Sequence, residues 1–111
     1  MTTNERTILI RRLNDLLRCH HIGGTIVLTP GIRAMGNRNV AALLVEIAQF
    51  NSFGADNDPY EEHDCAVLIF AGQRVIWKID CYDRSMRFHS PDPSDTEVTE
   101  RVMCVLLAEE Y

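Results

Sequence analysis

Cys65-Ala66-Val67-Leu68-Ile69-Phe70-Ala71-Gly72-Gln73-Arg74-Val75-Ile76-Trp77-Lys78-Ile79-Asp80-Cys81 is two apolar, β-branched runs around a single glycine. Read as a hairpin, it decides the fold. Residues 65–71 and 74–81 are of strand length, and Gly72-Gln73 between them puts glycine at the first loop position, which suits a type II′ turn. In that register Phe70 faces Val75, Leu68 faces Trp77 and Ala66 faces Ile79, so one side of the ribbon is wholly apolar. A four-residue loop keeps the same parity, whereas an odd loop scrambles it. Tyr82-Asp83-Arg84-Ser85 then turns the chain into Met86-Arg87-Phe88-His89, which this register pairs back onto the ribbon, Ile79 with Phe88 on the apolar side and Asp80 with Arg87 on the other.

Upstream, residues 7–20 carry Ile10, Leu13, Leu16 and Leu17 on one stripe with Arg11, Arg12, Asn14 and Asp15 opposite, which predicts a helix. Cys19-His20-His21 closes it before Gly23-Gly24. Histidines there complement the negative end of the helix dipole, and a metal site would need a third ligand from elsewhere. Residues 25–29, Thr-Ile-Val-Leu-Thr, read as a strand leaving into a turn at Pro30-Gly31. Asn37 is placed to cap a second helix running to about Phe50, with Val40, Leu43, Leu44 and Ile47 at i, i+3, i+4 and i+7. Residues 51–63 form a long loop rich in Asn, Asp, Gly and Pro, a length that marks functional loops. Downstream, Asp92-Pro93 or a Ser94 to Glu97 capping box opens a last helix with Val98, Val102, Val105 and Leu106 inward. The expected fold is α+β in the order α-β-α-β-β-β-α, a mainly antiparallel four-stranded sheet with helices packed on one face.

With 111 residues, the chain is expected to form one domain, 1–111. Its 46% hydrophobic content supports a normal core, and no run approaches the roughly 18 apolar residues of a membrane span. The N-terminus carries no secretion pattern, so the expected location is cytoplasmic. The net charge of −5, with Lys78 the only lysine, argues against direct nucleic-acid binding. Cys19, Cys65, Cys81 and Cys104 form no C-x-x-C pair and read as reduced, mostly buried thiols.

The hairpin parity sorts the polar groups. His63, Lys78, Asp80, Tyr82, Arg87 and His89 share the side opposite Trp77, with Cys65, Val67, Ile69 and Ile76 as apolar neighbours. Such a mixed face suits a binding groove or a protein interface; it equally suits a half-wet sheet face braced by an Asp80 to Arg87 ion pair. Trp77 alternates with Val75 and Ile79 and belongs to the core, so Tyr60 and Tyr82, in polar turns, are the better recognition residues. The acidic loop adds Asp56, Asp58, Glu61 and Glu62 to the candidate surface. Its carboxylates could hold a cation, but the spacing is not an EF-hand: from Asp56, position six is Glu61 and position twelve is Val67. A looser divalent site of His63, Asp64, Asp80 and Asp83 would permit metal-assisted hydrolysis. No G-x-S-x-G, H-E-x-x-H, P-loop or dinucleotide fingerprint is present, and no cofactor is expected. Cys65 and Cys81 lie among apolar residues, a poor setting for a reactive thiol.

Taken together, Asp56-Asn57-Asp58-Pro59-Tyr60, Glu62-His63-Asp64, Trp77-Lys78-Ile79-Asp80, Tyr82-Asp83, Ser90-Pro91-Asp92-Pro93 and Leu107-Ala108-Glu109-Glu110-Tyr111 resemble a small bacterial domain-of-unknown-function family, mainly alphaproteobacterial and often plasmid-borne. The resemblance extends to Leu13-Asn14-Asp15 and Val27-Leu28-Thr29. Cys65-Ala66 and Cys81 replace more typical aromatic or glycine residues there. No activity is assigned to that family, but its setting implies an accessory protein of mobile genetic elements. The leading expectation is therefore a noncatalytic interaction or regulatory module that engages a protein partner, with a homo-oligomer left open. The alternative is a small metal-dependent hydrolase.

Overall fold

The computed structural model describes residues 1–111. Helix α1 (Thr3–His20) begins one turn before its apolar stripe because Thr2 forms a capping box: its hydroxyl accepts from the Glu5 N–H at 3.1 Å, while the Glu5 carboxylate reaches back to Thr2. It ends at His21 in the left-handed conformation (φ 59°), whose N–H bonds the Leu17 carbonyl. Strand β1 (Thr25–Leu28) follows, then a single helical turn, α2 (Pro30–Arg33), where a plain turn was expected. Proline at its first position needs no N–H partner there. Helix α3 (Asn37–Gln49) starts after Gly36 at φ 90°, so Asn37 is its first residue rather than its cap. Strands β2 (Cys65–Phe70), β3 (Gln73–Tyr82) and β4 (Glu100–Leu107) complete the sheet, with 3₁₀ turns at Thr96–Val98 and Ala108–Glu110.

The sheet order is β1-β4-β3-β2, with β1 parallel to β4 and the other pairs antiparallel. The α+β class and the four-stranded, mainly antiparallel sheet are as expected, with one parallel pair added. Leu17, Ile32, Leu43 and Ile47 of the helices form one buried cluster with Ala66, Phe70, Val75, Trp77, Ile79, Met103, Val105 and Leu107. Those strand residues all lie on one side of the sheet, so the helices cover that side alone. Glu110 ties the C-terminal turn to the α2 entry, accepting from Thr29 Oγ1 at 2.6 Å and the Gly31 and Leu107 N–H groups at 2.9 Å.

Three expectations are corrected. The segment read as the last helix is strand β4. Val98, Val102, Val105 and Leu106 fit a helical period, but Val102-Met103-Cys104-Val105-Leu106-Leu107 is a central strand flanked by β1 and β3, and such strands lose polar alternation. The Ser94–Glu97 box does not form: Ser94 bonds Asp92 Oδ1, and Asp95 takes the Glu97 N–H to start only a 3₁₀ turn. Second, residues 86–89 are not a strand. Asp83 Oδ1 accepts from Ser85 Oγ and from the N–H groups of Arg87 and Phe88, closing a turn that leaves Phe88 exposed and only a Tyr82–His89 bridge. The place beside β3 belongs to β4, with Ile79 opposite Met103 and Asp80 opposite Val102, so neither Ile79–Phe88 nor Asp80–Arg87 pairs. Third, the hairpin loop is Ala71-Gly72, both at positive φ (50° and 76°) as a type I′ turn requires. The ribbon pairs Phe70 with Gln73, Leu68 with Val75 and Ala66 with Trp77. That is a two-residue shift, which leaves every side chain on its expected face.

Candidate interaction surface

Lys78, Asp80 and Tyr82 point away from the helices together with Cys65, Val67, Ile69 and Ile76, as strand parity demands. β4 and β1 extend this outer face with Val102, Cys104, Thr25 and Val27, paired row by row. Val27, Val67 and Ile69 are 44%, 49% and 63% exposed, and no helix lies over them. Within this field an ion pair joins Lys78 Nζ to Asp80 Oδ2 at 3.2 Å, and at its end Glu100, opposite Tyr82, pairs with Arg84 at 3.2 Å. The Asp80 contact, by hydrogen bond and charge, raises the Lys78 ammonium above its ordinary range. Asp80 thus finds its cation two residues away on its own strand instead of at Arg87.

The acidic loop is docked rather than free. Asn57 holds it locally, Oδ1 accepting from the Gly54 N–H at 2.7 Å and Nδ2 donating to the Ser52 carbonyl at 2.9 Å. Helix α1 holds it from outside: Arg11 Nη1 donates to the Glu61 carbonyl and Asn14 Nδ2 to the Glu62 carbonyl, at 3.1 and 2.9 Å. His63 is the central staple. Its ring stacks on Phe53 at 3.8 Å, its Nδ1 lies 3.0 and 3.1 Å from the two Asp15 oxygens, and its N–H bonds Asp58 Oδ1. A left-handed φ of 52° turns His63 toward the helix side, so it leaves the outer face where strand parity had placed it. Buried Asp58 and half-buried His63 therefore hold the loop against α1, while Asp56, Tyr60 and Glu61 face solvent.

Between α1, residues 62–64 and the Ser90 segment lies a cleft of about 350 Å³, lined by Arg6, Asn14, Glu62, Asp64, Cys81 and His89 among others. Behind its floor, buried Arg101 donates from Nε to Asn14 Oδ1 at 2.7 Å and from Nη2 to the Pro93 carbonyl at 2.6 Å. Burial, then repulsion from Asp64, holds the Glu62 carboxyl above its usual range; burial likewise raises Asp64, with the charges of Asp58 and Asp80 adding to it. Burial also pushes up the Cys81 and Cys65 thiols, the opposite of what a nucleophile needs. Arg101 and Val27 were missed, Arg101 because its segment was read as helix. Its signal was visible as the one arginine in phase with Met103 and Val105.

The four residues proposed for a divalent ion do not converge. His63 is committed to Asp15, Asp83 accepts three bonds within its own turn, and no group of three or more His, Cys, Asp or Glu is arranged to hold a metal. Arg87 stands exposed in that turn, and His89 sits at the cleft rim.

Residues 28–110 match the model of a family described as "Protein of unknown function (DUF3768)", and the chain belongs to that family. No curated protein and no solved structure matches it.

Proposed function

We propose that this DUF3768 chain is a noncatalytic interaction module, an accessory protein of mobile genetic elements that engages a basic protein partner through its outer sheet face and acidic loop. The observation that carries this reading is the outer face that no helix covers: a four-stranded, largely apolar field around the Lys78–Asp80 pair, with Val27, Val67 and Ile69 exposed; the loop docked on α1 presents Asp56, Tyr60 and Glu61 to solvent. Contiguous apolar surface of this kind is what soluble proteins bury against partners, and an exposed acidic loop favours a partner of opposite charge and steers its approach. The half-buried Glu62 and Asp64, held above their usual range, add negative potential that a partner cation would relieve.

The test is affinity capture from the source cells with wild-type protein, a Val27→Glu variant and a Glu61→Lys/Glu62→Lys variant, each repeated in EDTA. Proteins captured by the wild type should be lost from both variants and unaffected by EDTA. Capture that survives both substitutions, or that EDTA abolishes, overturns the reading.

A further inference from the structure

Strand β2 (Cys65–Phe70) forms one edge of the sheet, and the phase of its ladder shows what that edge offers. The Ile79 N–H donates to the Asp64 carbonyl at 2.6 Å. In an antiparallel ladder such bonded pairs alternate with unbonded ones, so pairs 66–77, 68–75 and 70–73 exchange the β2–β3 bonds. The N–H and C=O groups of Cys65, Val67 and Ile69 therefore point away from β3, and no turn, loop or side chain bonds them. The strand carries no charge, proline or bulge, the devices that ordinarily protect an edge, and Val67 and Ile69 are exposed.

We propose that two copies of this chain pair through this edge, β2 running antiparallel to β2 of the second copy about a two-fold axis at Val67. Val67 then faces its own counterpart and Cys65 faces Ile69 of the second copy, so the three outward-pointing residues bond each other in the narrow-pair pattern. The outer face continues across the axis as Ile76-Val67-Val67-Ile76, apolar throughout. The nearest cations, Lys78 beside Cys65 and Arg74 beside Ile69, fall in one row but three strand spacings apart. That is about 14 Å, beyond the ~10 Å screening length at 0.1 M salt, so nothing along the edge repels a second copy. The axis is perpendicular to the sheet, so both helical layers lie on one side and the outer face stays open to a protein partner. A contact made by one strand and its flanking side chains falls below the ~1,200 Å² of stable interfaces, so the dimer is weak and reversible.

Sedimentation velocity of the full chain across micromolar to near-millimolar concentration tests this directly. The wild type should show a reversible monomer–dimer equilibrium. Val67→Pro removes an outward N–H while sparing the β2–β3 ladder, and Val67→Lys sets two like charges against each other at the axis; each should weaken the dimer by about tenfold or more. Val27→Lys, on the opposite edge strand, should leave it intact. Circular dichroism verifies folding, and Val67→Lys decides the matter if the proline variant does not fold. A chain monomeric throughout, a dimer that survives the Val67 substitution, or one abolished by Val27→Lys, which would signal face-to-face packing, overturns the proposal.

Discussion

Replacing Arg18 with methionine should cost about 3 kcal/mol, because one buried guanidinium serves two helices and the core. Arg18 Nη1 lies 2.8, 3.3 and 3.0 Å from the carbonyls of Ile47, Ala48 and Phe50, and Nη2 lies 2.8 Å from Asp15 Oδ1. Helix α3 has no basic residue in its own last turn, so Arg18 of α1 supplies the cation its C-terminus lacks. Charged hydrogen bonds contribute about 1.5–3 kcal/mol each, and the three carbonyls share one nitrogen, so the set counts as roughly one such bond. The guanidinium carbon sits 5.3 Å from the Phe53 ring centre and 5.2 Å from that of Trp77, a desolvated cation–π contact of about 1–2 kcal/mol. The partly exposed Asp15 pair adds at most ~1 kcal/mol, and methionine recovers about 1 kcal/mol by sparing the burial of a charge. Urea unfolding followed by circular dichroism and by the fluorescence of Trp77, the only tryptophan, should show the midpoint falling by about 1–3 M. Arg18→Lys should fall between, keeping the charge and losing the fork. A loss under about 1 kcal/mol for Arg18→Met, or a lysine variant no better than methionine, would refute the reasoning.

The carboxyls of Glu62 and Asp64 titrate above their usual range, so their penalty appears as pH rises past the unfolded value near ~4 and is complete above the folded one. Glu62→Gln and Asp64→Asn should each raise the melting temperature at neutral pH, with the gain vanishing in acid where both states are protonated; scanning calorimetry from acid to neutral pH reads this. Gly24→Ala should destabilise by about 1–3 kcal/mol in urea, since its Cβ would meet the Arg101 carbonyl oxygen on β4 and lie 2.9 Å from Leu17 Cδ2.

How far the sequence could be read depended on whether a residue's neighbours are local. The faces of β2 and β3 were legible because strand parity survives the two-residue difference between Gly72-Gln73 and Ala71-Gly72 as the turn. α1 and α3 were legible from their apolar stripes. β4 was not, because whether Val102 to Leu107 forms a helix or a strand depends on β1 and β3, which flank it only in the folded chain. With β4 misread, the half of the outer face that Val27, Val102 and Cys104 supply went unseen. His63 left its expected side for a different reason: one positive φ, stabilised by Phe53 and Asp15, outweighed strand alternation at the end of the loop.

The parallel β1–β4 pair orders the assembly of the molecule in time. The β2–β3 hairpin closes through near neighbours, on the scale of about 1–10 μs for such units. β1 has a single neighbour in the sheet, and Thr25 meets Val102 across most of the chain's length. During synthesis at about 5–20 residues per second, several seconds separate the appearance of β1 from that of its mate. Thr25–Leu28 therefore waits without a strand beside it, and the sheet is sealed last, at the seam between an early strand and a late one.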